Sequence, residues 1–338
     1  MTLNIDKRQF LQLTAALAAG YGLTGARDAS AQAPTNVKYL TPFGFLMGFT
    51  ETMYADTGGF FKKHGLDVTI EGGKGSAMAV QQVTAGNVLL SRTGGTDLIK
   101  AYARDSNLVA IADIFPKDIF YVISHKDKPI PNPQAMAGKT IGVVSVGGAT
   151  ENILDMMLAK AGVKKDDVKR ETAGNAPTAF ELVKAGRLSG YIATTDTVFQ
   201  LKTDNQPIVA WSCDDVAPSP GQVYITSKRS LEANADAIAR FLRAVQETIG
   251  AVIASKDLGA VIASMTTKYD VVESKRPDKG VAVLEYALNN YRAVHANKLK
   301  INPATFESAH DLMVKAGIIQ PLPDKAYYSM AAWQKAFG

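Results

Sequence analysis

The sequence predicts an α/β fold built from two mostly parallel sheets that are flanked by helices. Short β-like runs alternate with helical stretches over most of the chain, and this alternation is typical of α/β domains. A second observation is a repeated apolar run. Tyr121-Val122-Ile123-Ser124 is echoed by Val223-Tyr224-Ile225-Thr226, and each run leads into a lysine. We therefore interpret the two runs as paired strands that cross between two lobes.

The first cycle of elements follows from apolar runs that glycines interrupt. Helices are expected at 51–64 and 76–85, because Gly65 and Gly86 stand just past their ends, where a left-handed residue often closes a helix. A third helix is expected at 97–104. Strands are predicted at 37–41, 66–71, 88–91, 108–113 and 120–124. The last of these strands is expected to leave the first sheet.

A second cycle begins after the turn at Gly138 and ends in a helical tail. Its strands are predicted at 139–144, 168–172, 190–194 and 208–211, and its helices at 149–161 and 177–185. From Ser230 onward apolar residues recur with the helical period over 231–255, 258–267, 278–294 and 303–316. We expect this tail to pack on the first lobe. The predicted first lobe is then 34–123 plus 225–338, and the second is 124–224.

Composition excludes several kinds of protein. With 46% hydrophobic and 20% charged residues the chain can build a core, and its formal charge is +5. The Lys and Arg residues are scattered, without the basic stripe that nucleic-acid binding needs, so no nucleic-acid partner is expected. Cys213 is the only cysteine, which excludes clustered-thiol metal sites and an internal disulfide.

The first residues have the order of an export signal. Lys7 and Arg8 precede an apolar run at 10–23, and Ala29-Ser30-Ala31 supplies small residues for cleavage. Cleavage after Ala31 is favoured, because cleavage two residues later would place Pro34 at the first mature position. The segment 6–11 resembles a twin-arginine motif with Lys in place of the first Arg, so a Sec or a twin-arginine-like route stays open.

Several blocks in the same order resemble one known family, the periplasmic solute-binding proteins of the nitrate, alkanesulfonate, taurine and thiamine-precursor group. These blocks are Gly58-Gly59-Phe60-Phe61-Lys62-Lys63-His64-Gly65-Leu66-Asp67-Val68, the glycine-rich turn Gly72-Gly73-Lys74-Gly75-Ser76, the strand Gly138-Lys139-Thr140-Ile141-Gly142-Val143, and Ala161-Gly162-Val163 with Asp166-Asp167-Val168. The resemblance covers nearly all of the chain after the signal. It implies the two-lobed type II periplasmic binding protein fold, in which two crossing strands join lobes that close on a ligand.

The resemblance also implies function. We expect an extracytoplasmic substrate-binding protein of an ABC importer, periplasmic and monomeric, that works with a membrane permease. Its expected ligand is a small organic solute: a sulfonate, a carboxylate, or a pyrimidine or other thiamine precursor. The alternative is an enzyme of the same fold similar to thiamine-pyrimidine synthase. That enzyme is expected to need a cysteine-rich iron-binding motif, which one cysteine cannot provide.

Candidate ligand-binding residues of the first lobe follow its strands, because ligands of open α/β sheets sit beyond the carboxyl ends of strands. Phe43 and Phe45 either present aromatic faces to a ligand or belong to the core. Gly75 and Ser76 open a helix whose first N–H groups can bind a ligand, and Ser76 can also cap that helix. The last two candidates are Arg92, which either grips an anion, lies at the surface or pairs with Asp97, and Thr96.

The second lobe supplies a matching set. Ser145, Gly148, Ala149 and Thr150 form a second glycine-containing loop before a helix. Thr195 and Asp196 follow another strand, where Asp196 either caps the next helix or binds an amine or ring N–H.

Catalysis finds little support in the sequence. The four histidines, at positions 64, 125, 295 and 310, lack metal-ligand spacing and have no evident nucleophile partner. Cys213 is interpreted as a buried small residue. No enzyme activity, metal or cofactor is therefore expected.

The N-terminal pattern predicts that the mature protein begins near Gln32. Mass spectrometry of the protein recovered from its native host is expected to show residues 1–31 missing, because a signal peptidase removes the export segment. Recovery of the intact chain from the cytoplasm would contradict this prediction.

Overall fold

The computed structural model describes residues 33–338, apart from the side chains of residues 277–279, and shows two five-stranded sheets. The expected export signal at 1–31 lies outside the described residues. The first sheet has the order β2-β1-β3-β10-β4 and the second has the order β7-β6-β8-β5-β9. The strands are β1 Thr35–Thr41, β2 Leu66–Gly72, β3 Leu90–Gly94, β4 Leu108–Phe115, β5 Phe120–His125, β6 Thr140–Val143, β7 Lys169–Thr172, β8 Gly190–Thr194, β9 Ile208–Ser212 and β10 Gln222–Ser227.

Each sheet is mixed in the same way. In the first sheet β10 is antiparallel to both β3 and β4, while β1 is parallel to β2 and β3. In the second sheet β5 is antiparallel to β8 and β9, while β6 is parallel to β7 and β8. Four strands of each sheet therefore run one way and a single antiparallel strand lies among them, which confirms the predicted α/β architecture.

Helices cover both sheets. They are α1 Thr50–Thr57, α2 Phe60–Lys63, α3 Ser76–Thr84, α4 Gly95–Tyr102, α5 Ala149–Ala161, α6 Phe180–Lys184, α7 Thr195–Thr203, α8 Lys228–Ala254, α9 Leu258–Thr266, α10 Pro277–Ala296, α11 Pro303–Lys315 and α12 Ala331–Phe337. None of the helices within residues 33–338 is both long and apolar enough to cross a membrane.

The single helix expected at 51–64 is two helices instead. The break falls at Gly58-Gly59, and Gly59 has a φ of +78°, in the left-handed region. Glycine reaches this region without the clash that a Cβ atom introduces, so the chain can turn there. The C-terminal helix α12 was not expected from the sequence, and its seven residues are too few for a clear helical period.

The two sheets exchange strands through two crossing segments. Residues 116–119 lead from β4 in the first sheet to β5 in the second, and residues 213–221 lead from β9 back to β10. The segments touch, since Asp214 Oδ1 accepts hydrogen bonds from the N–H groups of Asp118, at 3.4 Å, and Ser219, at 3.2 Å. The division into lobes of 34–123 plus 225–338 and of 124–224, moving about these crossings, stays a prediction.

The helical tail packs on the first sheet, as the apolar period predicted. Phe241 of α8 stacks on Phe61 at 5.1 Å and meets Tyr39 and Tyr224 at 5.5 and 5.4 Å. All four side chains are buried. Burial of aromatic surface on this scale is a main source of core stability.

A buried ion pair joins this core to the first sheet. Arg92 donates from Nη1 to Glu51 Oε1 at 2.8 Å and to the Gly48 carbonyl at 2.9 Å, and both charged side chains are fully buried. Two hydroxyls complete the carboxylate's bonds, because Tyr224 donates to Oε1 at 2.9 Å and Tyr291 to Oε2 at 2.7 Å. Both carboxylate oxygens of Glu51 therefore have hydrogen-bond partners.

Removing the arginine is expected to destabilise the fold strongly. Arg92→Ala leaves Glu51 as an uncompensated buried charge, which typically costs about 3–5 kcal/mol of unfolding free energy. Urea denaturation of the wild type and the variant measures the difference. Arg104→Ala is the matched control, since Arg104 is exposed and its loss should stay within about 0.5 kcal/mol. A loss at Arg92 as small as that at Arg104 would contradict this account of the pair.

Candidate functional site

The two glycine-rich loops of the sequence lie against each other between the sheets. A Cβ atom added to Gly75, in the loop after β2, would lie 2.6 Å from Ser145 Oγ, in the loop after β6. Gly75 itself has a φ of +133°, so the absence of a side chain is needed both for its backbone and for this close approach. Ser145 also lies beside Gly148. The carboxyl ends of the two sheets thus face each other across this contact.

Ser76 is the most distinctive polar group at this place. It is the first residue of α3, its side chain is only 1% exposed, and its Oγ atom has no hydrogen-bond partner within residues 33–338. The start of a helix carries unpaired N–H groups and a partial positive charge. Ser76 does not cap α3, so its hydroxyl is available to another group.

Thr150 occupies the matching position in the second sheet's loop, but its oxygen is already bound. The Val144 N–H donates to Thr150 Oγ1 at 2.9 Å, which closes the turn after β6. Next to it, Ala149 approaches Gly94 of β3, because a Cβ atom on Gly94 would lie 2.8 Å from Ala149 Cβ. The start of α5 is thereby packed on the first sheet.

Asp97 lies at this junction and bridges the two sheets. Asn152 of α5 donates to Asp97 Oδ1 at 2.5 Å, and Lys100 donates to Asn152 Oδ1 at 2.6 Å. Burial raises the pKa of Asp97 to about 7, although neighbouring groups, including the Ser76 hydroxyl and the Ala149 N–H, favour its ionised form. The Ser76 hydroxyl thus lies near Asp97, although the two groups do not reach hydrogen-bond geometry. The Asp97 carboxyl group therefore lies beside the positively polarised N-terminus of α5.

Arg92 lies in β3 rather than in a loop after it, because the strand runs to Gly94. It is neither at the surface nor paired with Asp97. Its guanidinium lies between the rings of Phe49 and Phe115, at 4.7 and 4.4 Å. With Nη1 engaged by Glu51, the Nε and Nη2 atoms have no partner among the described residues.

Asp196 reaches across from the second sheet toward the first. It stands in the first turn of α7, and a Cβ atom on Gly48 would lie 2.9 Å from its Oδ2 atom. Burial raises the pKa of Asp196 to about 6, and the charge of Arg92 partly offsets this. Glu273, whose Oε2 atom accepts the Met47 N–H at 3.1 Å, has a pKa raised to about 8 by burial and by Asp196.

The remaining candidates are divided between contacts with the site and contacts with the core. Phe43 lies 6.4 Å from the ring of Phe120 in β5, so it touches both sheets, whereas Phe45 packs on Tyr269 at 5.1 Å. The Thr195 hydroxyl donates to the Ile119 carbonyl at 2.9 Å. Thr96 is buried in α4.

Glu51, Asn152 and Glu273 were not among the sequence candidates. All three are buried; Glu51 and Asn152 lie in helices and Glu273 in the short 3-10 turn Val272–Lys275. In a sequence such residues cannot be told from ordinary exposed polar positions.

Groups that could support catalysis or bind a metal are scarce in the part of the chain that the structure describes. No cluster of three or more His, Cys, Asp or Glu side chains within residues 33–338 could hold a metal ion. Cys213 is fully buried, and burial raises the pKa of its thiol well above its usual range. It is therefore held as a thiol, the form that is a poor nucleophile.

The buried carboxyls predict that stability falls as the pH rises. Burial raises the pKa values of Asp196 to about 6, of Asp97 and Asp113 to about 7, and of Asp118 and Glu273 to about 8. Unfolded carboxyls titrate near ~4, so the folded state holds more protons between these limits and loses stability as they ionise. The melting temperature should decline from pH 5 toward pH 8, as circular dichroism can measure.

Glu273→Gln should flatten this decline, whereas Glu232→Gln, at an exposed position, should leave it unchanged. A melting temperature that is constant or rises over this range would count against the burial of these groups.

Known structures show what the fold is similar to. A protein from Bordetella bronchiseptica RB50 aligns with a TM-score of 0.73 and 18% identity, over 90% of this chain and 97% of that one. The alkanesulfonate-binding protein SsuA from Xanthomonas axonopodis pv. citri, bound to MOPS, aligns with a TM-score of 0.61 and 14% identity, over 85% and 95%. The nitrate-binding protein NrtA from Synechocystis PCC 6803 aligns with a TM-score of 0.55 and 13% identity, over 86% of this chain and 92% of that one.

These likenesses show the periplasmic binding protein fold that the sequence blocks predicted. No curated protein sequence matches the chain significantly. The family model described as NMT1/THI5 like matches residues 47–257, which is more than half of the chain. The chain therefore belongs to the NMT1/THI5-like family.

Proposed function

We propose that this protein is the extracytoplasmic substrate-binding protein of an ABC importer and that it captures a small organic solute between two lobes. The family membership and the fold support this proposal, since SsuA and NrtA of the same fold are binding proteins for alkanesulfonates and nitrate. The meeting of the two glycine-rich loops supports it further. Such loops bring backbone N–H groups close to a ligand.

One observation carries the proposal, namely the free hydroxyl of Ser76. A buried polar atom without a partner costs free energy, so proteins rarely keep one unless water or a ligand completes it. Ser76 combines such an atom with the N-terminus of α3, and the loop before it touches the loop of the second sheet. A solute held there would contact both lobes.

The candidate solutes are a sulfonate, a carboxylate, or a pyrimidine such as a thiamine precursor. A solute with an acceptor oxygen suits Ser76 and the start of α3, because a hydroxyl and N–H groups can all donate to it. Phe43 offers an aromatic face to the solute's apolar part, and Asp196 offers a carboxylate to a ring N–H or an amine. We assign the ligand-binding role to these residues together with Gly75, Ser145, Gly148 and Thr150.

Binding without catalysis is part of the proposal. The inert Cys213 thiol supports it, since the related enzyme type considered above is expected to require several cysteines for iron. The expected partner is a membrane permease, and the protein is expected to act as a periplasmic monomer after removal of its export signal.

The test is a Ser76→Ala variant. A solute is first identified by thermal shift with MOPS, ethanesulfonate, nitrate, acetate and thiamine, because a ligand at 100 times its Kd stabilises a protein by about 2.7 kcal/mol. Calorimetry should then show a tenfold to hundredfold weaker Kd for Ser76→Ala, corresponding to the loss of about 1.5–3 kcal/mol from one hydrogen bond to a charged ligand.

Ser106→Ala is the control, since Ser106 is exposed and lies in the turn before β4. Equal affinity of Ser76→Ala and the wild type would show that the solute does not bind at the glycine-rich loops.

A further inference from the structure

A cavity lies beside the two crossing segments, away from the glycine-rich loops. Its volume is about 730 Å³, which lies within the range of small-molecule sites. Its wall combines Phe115 at the end of β4, Tyr121 of β5, Trp211 of β9 and Tyr286 of α10. Among the predicted site residues only Thr195 borders it.

 We call this space the hinge cavity.

The hinge cavity is acidic. Asp118, Asp214 and Asp215 border it, against one basic neighbour, Lys117. The wall therefore carries more acidic than basic side chains.

One of these carboxyls has an unpaired oxygen. Asp118 is 7% exposed, and its Oδ1 atom accepts the Phe120 N–H at 2.9 Å. Its Oδ2 atom is buried and has no hydrogen-bond partner within residues 33–338. A buried carboxyl oxygen without a donor is costly, so an N–H group brought into the cavity would be stabilised there.

Aromatic rings complete the wall. Trp211 is held in place, because its Nε1 atom donates to the Ile130 carbonyl at 2.6 Å. Tyr286 stacks on Phe199 at 4.8 Å and stays partly exposed. Aromatic faces attract cations through their quadrupole and also bury apolar surface. Rings together with a free carboxyl oxygen suit a cation that has an apolar body.

We propose that the hinge cavity binds a small organic cation with N–H donors, such as an amine or an amidine. The cation donates to Asp118 Oδ2, and its apolar part packs on Tyr121, Trp211 and Tyr286. This site goes beyond the solute site of the glycine-rich loops and does not depend on it. Because both crossing segments border the cavity, an occupant would favour one angle between the lobes.

The protonation of Asp118 agrees with this assignment. Burial, with a smaller contribution from the nearby Asp214, raises the pKa of Asp118 to about 8. At neutral pH Asp118 is therefore largely protonated. A bound cation favours the carboxylate, so its binding should release a proton.

The test uses three probes of one shape: benzamidine, benzamide and benzoate, which are cationic, neutral and anionic. Calorimetry on the purified full chain at neutral pH is expected to show binding of benzamidine, at least tenfold weaker binding of benzamide, and no binding of benzoate. The heat of benzamidine binding should change with the ionisation enthalpy of the buffer, which reports the released proton.

Variants locate the site. Asp118→Asn should weaken benzamidine binding tenfold or more, and Tyr286→Ala, at a ring that is 36% exposed, should weaken it severalfold. Asp127→Asn is the matched control, because its side chain is exposed and lies outside the hinge cavity. Ser76→Ala should leave benzamidine binding unchanged, which separates this site from the proposed solute site.

Three results would overturn the proposal: no binding of benzamidine to the wild type, equal binding of benzamide or benzoate, or wild-type affinity in both Asp118→Asn and Tyr286→Ala. None of them bears on the capture of a solute at Ser76.

Discussion

The structure depends on the way each sheet is completed by a strand that arrives through a crossing. In the first sheet β3 and β4 do not pair with each other, and β10 lies between them and bonds to both. In the second sheet β5 has the same place between β8 and β9. Without these two strands, four buried strand edges would keep unpaired N–H and C=O groups, which is costly. The second sheet needs the first crossing to begin with β5, and the first sheet needs the return crossing to receive β10.

This constraint positions the polar groups between the sheets. The crossings bring the carboxyl ends of the parallel strands face to face, where the loops after β2 and β6 touch at Gly75 and Ser145. On one side of that contact Asp97 binds Asn152, and on the other Asp196 lies against Gly48. Both carboxyls have raised pKa values because they are buried there. The protonation of these two carboxyls is therefore sensitive to any group that binds between the sheets and to any movement that separates the sheets.

The core and the junction are coupled through Arg92. Its Nη1 atom belongs to the satisfied network of Glu51, Tyr224 and Tyr291, which lies deep under the first sheet. Its charge also acts on Asp196 from the second sheet. A buried ion pair contributes little net stability but penalises arrangements that separate its partners. In this protein the pair holds the Met47–Phe49 turn, through Gly48, at the place where the two sheets meet.

The sequence by itself determined the elements and the family. Short apolar runs, helical periods, glycines after helices and the echoed runs at Tyr121 and Tyr224 depend on local chemistry, so they predicted two α/β cycles and most strand positions. The glycine-rich loops were recognisable because only glycine fits such turns. Only the tertiary structure decided the partners of the charged groups, since Arg92 binds Glu51 from 41 positions away and Asn152 binds Asp97 from 55. Such pairings depend on which buried side chains the packed elements bring within 3 Å, and no local pattern encodes that distance.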